Sequence, residues 1–186
     1  PVESAALDTS KDQLVVATNA AFEPFEYMEG DSYVGIDMEI AALLAKELGQ
    51  ELVIQNMDFD AVCLSVGQQK CDIAMVTFSD TYYQASQRLI VPSDDTTFDD
   101  MTDADSIAAA LAKLDSSVKI GVQQGTTGQS YVEGSEDLGF PGLQATCQPY
   151  KSGSLAVQDM LNGNIDYVII DAAPAAAITE AINEMQ

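Results

Sequence analysis

The 186-residue chain contains no histidine and no tryptophan. Without histidine, Ser-His-Asp and Cys-His nucleophilic catalysis, histidine-ligated zinc and histidine-ligated haem are excluded, together with the commonest general base near neutral pH. Positive charge is scarce too: seven Lys and Arg stand against thirty Asp and Glu, a formal charge of −23. Such a surface repels phosphate backbones and anionic headgroups, so nucleic acid is excluded as a partner. No apolar run approaches the roughly 18 residues of a membrane-spanning helix, and Pro1 opens no charged-then-apolar targeting segment; any such segment is expected to have been removed. Cysteine is sparse, and Cys63, Cys71 and Cys147 have no metal-binding spacing and leave at least one thiol unpaired. The eight-residue separation of Cys63 and Cys71 allows either a disulfide or two free thiols.

What is present is a chain that folds. Hydrophobic residues make up 47% of it, more than a disordered acidic tail carries, and the length suits one large domain or two small lobes. Residues 1–13 are polar and aperiodic, as expected of a leader or linker. A short Val-rich strand follows at 14–17. Asp37 then stands where it can cap a helix whose Ile36, Ile40, Leu43, Leu44 and Leu48 share one face, and Gly49 stops that helix. A strand at 51–55, a short helix at 60–66 and a strand at 72–76 complete a βαβαβ unit. After an acidic, turn-rich stretch at 94–105 and a helical pattern at 107–114, the order recurs: strand 118–123, helix 127–133, strand 145–150, helix 154–161, strand 165–170. The wording recurs as well, since Lys70-Cys71-Asp72-Ile73-Ala74-Met75 matches Asn164-Ile165-Asp166-Tyr167-Val168-Ile169. The expected fold is α/β, with two similar βαβ lobes: 14–81 as the first, 82–92 as a crossing strand acting as hinge, and 93–186 as the second.

Mostly parallel sheets bind ligands beyond the carboxyl ends of their strands, so the loops there hold the candidates. Phe22, Phe25 and Tyr27 fall within six positions just after the first strand. They form either an aromatic wall or ordinary core. Gln124-Gly125-Thr126-Thr127-Gly128 lies between strand and helix, as an anion site of backbone N–H groups and hydroxyls or as a plain glycine turn with a threonine cap; it lacks the Gly-Lys-Ser/Thr of a P-loop. Asp171 ends an apolar strand, where its carboxylate can meet a ligand ammonium or cap a helix. Asp166, at the opposite end of that strand, is the weaker candidate. The acidic stretch 94–105 lacks EF-hand spacing and reads as a solvated face, with no metal assigned.

The segment from Leu14 through Asn19-Ala20-Ala21-Phe22-Glu23-Pro24-Phe25-Glu26-Tyr27, followed by Tyr33-Val34-Gly35-Ile36-Asp37-Met38-Glu39-Ile40, resembles the opening of bacterial extracellular solute-binding proteins of the polar amino-acid family. Phe78-Ser79-Asp80-Thr81-Tyr82-Tyr83, Val122-Gln123-Gln124-Gly125-Thr126-Thr127-Gly128 and Asp166-Tyr167-Val168-Ile169-Ile170-Asp171 are similar to three further blocks of the family, in order. The resemblance implies a periplasmic-binding-protein-like fold of type II with a ligand cleft between the lobes, and a monomer that delivers an amino acid to the membrane permease of an ABC importer without catalysis or cofactor. It also implies an extracytoplasmic location, with a lipid anchor suited to the polar leader. By position, Phe22 and Phe59 wall the side-chain pocket, Asn19 touches the polar end of the ligand, Gly125 and Thr126 hold its carboxylate and Asp171 its ammonium.

The sequence departs from the family pattern in two places. The Gly-x-Thr-x-Thr-x-x-Arg stretch, whose arginine clamps the carboxylate, is absent where Met75-Val76-Thr77 runs into Phe78, and the sole arginine, Arg88, does not match it. The return to the first lobe is also expected to be missing before Gln186, or else to be left out together with a discontinuity between 75 and 78 or between 173 and 180. Two alternatives follow from these departures and from the scaffold. One is a shortened relative that folds without binding. The other is a dehydratase-like enzyme with Glu23 or Glu26 as its acid. The charge favours a neutral, zwitterionic or cationic amino acid over an anionic one.

Overall fold

The computed structural model describes residues 1–75 and 86–184. The block 78–83 and the first part of the expected crossing, 82–85, lie outside the described residues. The chain divides into two compact units, Pro1–Gln84 and Ala85–Gln186. No helix among the described residues is long and apolar enough to cross a membrane.

The first unit runs β1 (Gln13–Thr18), β2 (Tyr27–Glu29), β3 (Ser32–Val34), α1 (Ile36–Leu48), β4 (Glu51–Asn56), α2 (Phe59–Gly67) and β5 (Ile73–Ala74). β2 and β3 form an antiparallel hairpin, while β1 pairs in parallel with both β4 and β5, giving the order β4-β1-β5. The central strand is apolar on both faces, as a covered parallel strand must be. Leu14 and Val16 pack with Met38, Ala41 and Ala45 of α1, and Ala17 packs with Val62 of α2 and Cys71 on the other side. Each fully buried side chain of this size contributes roughly 1.5 to 3 kcal/mol of transfer free energy.

Helix α1 corrects two expectations. Its buried residues are Asp37, Met38, Ala41 and Ala45, while Ile36, Leu43, Leu44 and Leu48 are exposed. The small residues at 41 and 45 let the helix axis approach the sheet, and Met38 fills the remaining gap; the larger leucines would hold it off. Asp37 is not the cap. Gly35 takes that position at φ 123°, and a Cβ there would stand 2.2 Å from the Phe25 carbonyl oxygen. Gly49 ends the helix in the left-handed conformation, as expected.

Residues before β1 are bonded to this unit and do not trail from it: Val2 N–H donates to the Tyr33 carbonyl at 2.7 Å, Ala5 N–H to the Leu52 carbonyl at 2.9 Å, and Ile54 N–H to Ser4 Oγ at 2.7 Å. All three cysteines are free thiols, and the buried Cys71 lies 3.0 Å from Ser65 Oγ.

The second unit runs β6 (Gln87–Ile90), α3 (Ala104–Leu111), β7 (Lys119–Gln123), α4 (Thr127–Glu133), β8 (Thr146–Tyr150), α5 (Gly153–Leu161), β9 (Tyr167–Asp171) and α6 (Ala172–Glu184). Its sheet order is β6-β9-β7-β8, with β7 parallel to β8 and β9 and β6 antiparallel to β9. In β9 the side chains divide between two cores. Tyr167 and Ile169 join Leu111, Ile120, Val122 and Val132, whereas Val168 and Ile170 join Ala156, Val157, Met160 and Ala175. Gly153 lets α5 pack closely, since a Cβ there would meet Ile170 Cδ1 at 2.1 Å. The acidic stretch is partly anchored: Tyr167 hydroxyl donates to Asp95 Oδ2 at 2.8 Å, and Phe98 meets the Tyr167 ring edge-on at 5.4 Å. Residues 173–180 lie within the helix α6, and the interval 75–78 reaches outside the described residues.

Candidate functional site

At the carboxyl end of the first sheet, two asparagines tie the loops after β1 and β4 together. Asn19 Nδ2 donates to the Met57 carbonyl at 2.8 Å, and Ala20 N–H donates to Asn56 Oδ1 at 2.9 Å. Asn19 is buried, so the side chain expected to touch a ligand is engaged in holding its own loop. Phe22 and Phe25 stack with ring centroids 6.1 Å apart; Phe25 is buried beneath, and Phe22 is half-buried. Phe59 is half-buried as well, and it is the first residue of α2 instead of a loop residue. Neither Phe22 nor Phe59 is wholly enclosed in its own unit's core.

Glu26 belongs to the same loop, and its carboxyl turns inward to accept the Thr18 hydroxyl. Burial pushes it up to about 8, the Thr18 bond opposing that rise and the charge of Asp37 adding to it. Glu23, the other candidate acid, is exposed.

In the second unit the strand-to-helix loop after β7 is built around Gly125 at φ 78°. Its N–H donates to Gln129 Oε1 at 2.7 Å, and the Thr126 hydroxyl donates to the Gln123 carbonyl at 2.8 Å. Thr126 is the N-cap residue of α4 without a side-chain capping bond. Asp171 closes β9 opposite Gln87, whose Nε2 donates to its Oδ1. Burial raises the Asp171 carboxyl above its ordinary range, and the Gln87 bond works against that. Among the described residues no cation acts on it. A cavity of about 640 Å³ also lies in this unit, its lining including Gln87, Arg88, Leu89, Asp103, Leu111 and Tyr131. None of Gly125, Thr126 or Asp171 lines it. Among the described residues no cluster of three or more His, Cys, Asp or Glu is placed to hold a metal.

Residues 14–185 match the model of the bacterial extracellular solute-binding proteins, family 3. The chain belongs to this family. The solute-binding protein is 34% identical to the arginine-binding extracellular protein ArtP of Bacillus subtilis (strain 168) over 99 residues, which cover 47% of this chain and 39% of that one. It is 27% identical over 178 residues to the putative ABC transporter arginine-binding protein 2 of Escherichia coli (strain K12), covering 89% of this chain and 65% of that one. It therefore spans between 39% and 65% of the length of these curated relatives. Among solved structures it is similar to the ancestral amino acid-binding protein AncCDT-1, a precursor of cyclohexadienyl dehydratase, with TM-score 0.73 and 28% identity over 91% of this chain and 75% of that one. The family and the two curated relatives are binding proteins.

The structure adds three polar residues that the sequence reading did not single out. Gln87 reaches Asp171 only through the β6–β9 register, and Asn56 reaches Ala20 only through the pairing of β1 with β4. Both contacts join residues distant in sequence and leave no local signal. Gln129, four residues beyond Gly125 on the first turns of α4, was the legible one, because that spacing returns a side chain to the helix start.

Proposed function

We propose that this protein is the extracytoplasmic substrate-binding component of an ABC importer and that it binds a cationic amino acid of the arginine class. The observation that carries the reading is the partly desolvated carboxylate of Asp171, held at a strand's carboxyl edge by an amide and, among the described residues, by no cation. A half-buried carboxylate of that kind gains from meeting an ammonium. The arginine-binding relatives support the ligand class, and so does the formal charge of −23, which draws cations.

In this reading Asp171 holds the α-ammonium, and Gly125 and Thr126 hold the carboxylate, Gln129 releasing the Gly125 N–H as the ligand arrives. Phe22 and Phe59 pack the aliphatic stem and face the guanidinium, an arrangement cation–π attraction favours. Asn19 keeps the Phe22 loop in register with β4. Residues 14–81 and 93–186 act as lobes about the connection 82–92 and close on the ligand, which a monomer delivers to the permease. No cofactor and no catalytic step enter. The one acid with a raised titration point in the aromatic loop, Glu26, is turned away from solvent into its own unit. A lipid attached ahead of Pro1 would tether the receptor at the membrane surface.

Calorimetry with L-arginine, L-glutamine and L-glutamate tests the reading on the full chain. Arginine is expected to bind and glutamate not to. Asp171→Asn is expected to weaken arginine ten- to a hundredfold, the equivalent of a lost charge-assisted hydrogen bond of roughly 1.5 to 3 kcal/mol. Equal dissociation constants for the two proteins would remove Asp171 from the site, and silence towards all three amino acids would make this a relative that folds without binding.

A further inference from the structure

The buried carboxyl of Glu26 has no part in the ligand contacts proposed above. It is 4% exposed and lies in the loop that carries Phe22. Three elements surround it. The hydroxyl of Thr18 at the end of β1 donates to its Oε2. Asp37, in the first turn of α1 and likewise 4% exposed, is the ionisable group that acts on it, and the Asp37 N–H fastens the loop by donating to the Phe25 carbonyl at 2.9 Å. The loop's own backbone closes the arrangement: Phe22 N–H donates to the Glu26 carbonyl at 2.7 Å, and Glu26 N–H to the Phe22 carbonyl at 3.0 Å. Glu23 of the same loop is exposed, and among the described residues no cation acts on Glu26. The residue that would lose a proton is thus bridged directly to the residue that carries the half-buried ring.

We propose that Glu26 is a positioning residue for the ligand: its protonated carboxyl holds the 22–27 loop, and with it the Phe22 ring, against β1 and α1, and loss of that proton releases the loop and weakens binding. This rests on the amino-acid-receptor reading. An ionised Glu26 would be a second buried negative charge beside Asp37 with no positive partner of its own, and the way to relieve it is to swing the carboxylate out to water. That swing breaks the Thr18 bond that ties the loop to β1, and the backbone bridge between Glu26 and Phe22 carries the loosening to the ring. Burial sets the titration point at about 8, so the latch is closed at neutral pH and opens on mild alkalinisation.

The test is arginine binding by calorimetry between about pH 6 and about pH 9.5, wild type against Glu26→Gln, with the Glu26 carboxyl carbon followed by NMR over the same range. Glutamine keeps the shape and remains neutral. The two proteins are expected to bind alike at pH 7 and to separate by about tenfold at the alkaline end, the wild type being the weaker, because affinity limited by a protonated state falls up to tenfold per unit above its pKa. Titration of the ligand's own amine weakens both equally and cancels from the comparison. Parallel profiles, or a Glu26 carboxyl that titrates in the ordinary carboxylate range, would overturn the proposal. If neither protein binds arginine at pH 7, the receptor reading fails on its own, and hydrogen-exchange protection of the 22–27 amides in the wild type decides the latch. The same measurement decides it if Glu26→Gln does not fold. Protection lost in step with Glu26 ionisation supports the latch, and protection independent of it overturns it.

Discussion

The two units share one scaffold, and both fasten the loops at the carboxyl ends of their strands with amides, but only the first adds a buried acid there. The strand that opens the repeated βαβαβ order lies between the other two in each, in the orders β4-β1-β5 and β8-β7-β9, with β6 added beyond β9 in the second. In each, the aspartate opening the third strand accepts a backbone N–H from the central one: Asp72 from Val15 at 2.8 Å and Asp166 from Lys119 at 2.7 Å. At the carboxyl ends the likeness is partial. The first unit places a buried, proton-holding acid there, Glu26, bonded to Thr18. The second uses amides that do not titrate, Gln129 on Gly125 and Gln87 on Asp171. The amino ends meet the same backbone demand twice and answer it the same way, whereas the carboxyl ends differ between the units.

That contrast makes the first unit the more pH-sensitive of the two, and this is the largest effect expected. An unfolded glutamate titrates at about 4.5, while folded Glu26 titrates at about 8. Below the lower value both states hold the proton and folding is unaffected. Between the two values only the folded state holds it, so stability falls as pH rises through that window and levels off above it. A gap from 4.5 to about 8, at 1.36 kcal/mol per unit, amounts to about 5 kcal/mol. In the second unit the half-buried Asp171 is raised as well, but Asp95, Asp115 and Asp159 shift the other way, held low by hydrogen bonds from Thr97, Ser117 and Tyr150 respectively. Their contribution is present above the ordinary aspartate range and is lost as pH falls. Hydrogen exchange at β1 and β7 amides, read between about pH 5 and about pH 9 in wild type and Glu26→Gln, checks this. The β1 amides are expected to lose protection with rising pH in the wild type and to keep it in Glu26→Gln, and the β7 amides to follow one profile in both proteins. A response to Glu26→Gln at both strands would break the contrast.

A smaller effect tests the likeness. Asp72 and Asp166 are both exposed and make the same bond, so Asp72→Ala and Asp166→Ala are each expected to cost about 1 kcal/mol in urea unfolding and to differ from one another by a few tenths. A cost confined to one of them would show that the repeated wording keeps its geometry but not its energetics.

How far the sequence spoke depended on whether a feature was local. The apolar run before Asp171 placed that carboxylate at the end of β9, and Gly49 placed the end of α1, because strand length and the left-handed cap are local properties. The α/β class and the doubled order were legible for the same reason. Phe59 was read into a loop, although the helix starts on it, since Asp58 is extended and signals the boundary one residue earlier than the reading placed it. Gln87 was invisible because its partner lies 84 residues away. Glu26 stood out only as an acid among aromatics; its burial is set by the turn that Gly35 allows beside Phe25, which is a tertiary contact.

The clearest misreading, the face of α1, supplies the smallest expected effect. Hydrophobicity alone ranks Leu43, Leu44 and Leu48 above Ala41 and Ala45, and so points the leucines inward. Packing against a sheet ranks them by size, and the alanines win because they bring the helix close enough for Met38 and Val16 to interlock at 0% exposure. Leu48 is left 61% exposed. Leu48→Gln therefore removes little buried surface, and its cost in urea unfolding is expected to stay within about 0.5 kcal/mol of zero, the ordinary range for an exposed position. Leu43, at 59% exposure, is expected to behave in the same way. A loss of about 2 kcal/mol or more at either leucine would mean that this stripe is covered in solution. The second unit offers the control: Leu161 of α5 is 54% exposed on a helix whose Ala156 and Val157 face the core, so Leu161→Gln should be equally silent. If Leu48→Gln is costly and Leu161→Gln is not, the first unit carries a covered surface that the second lacks.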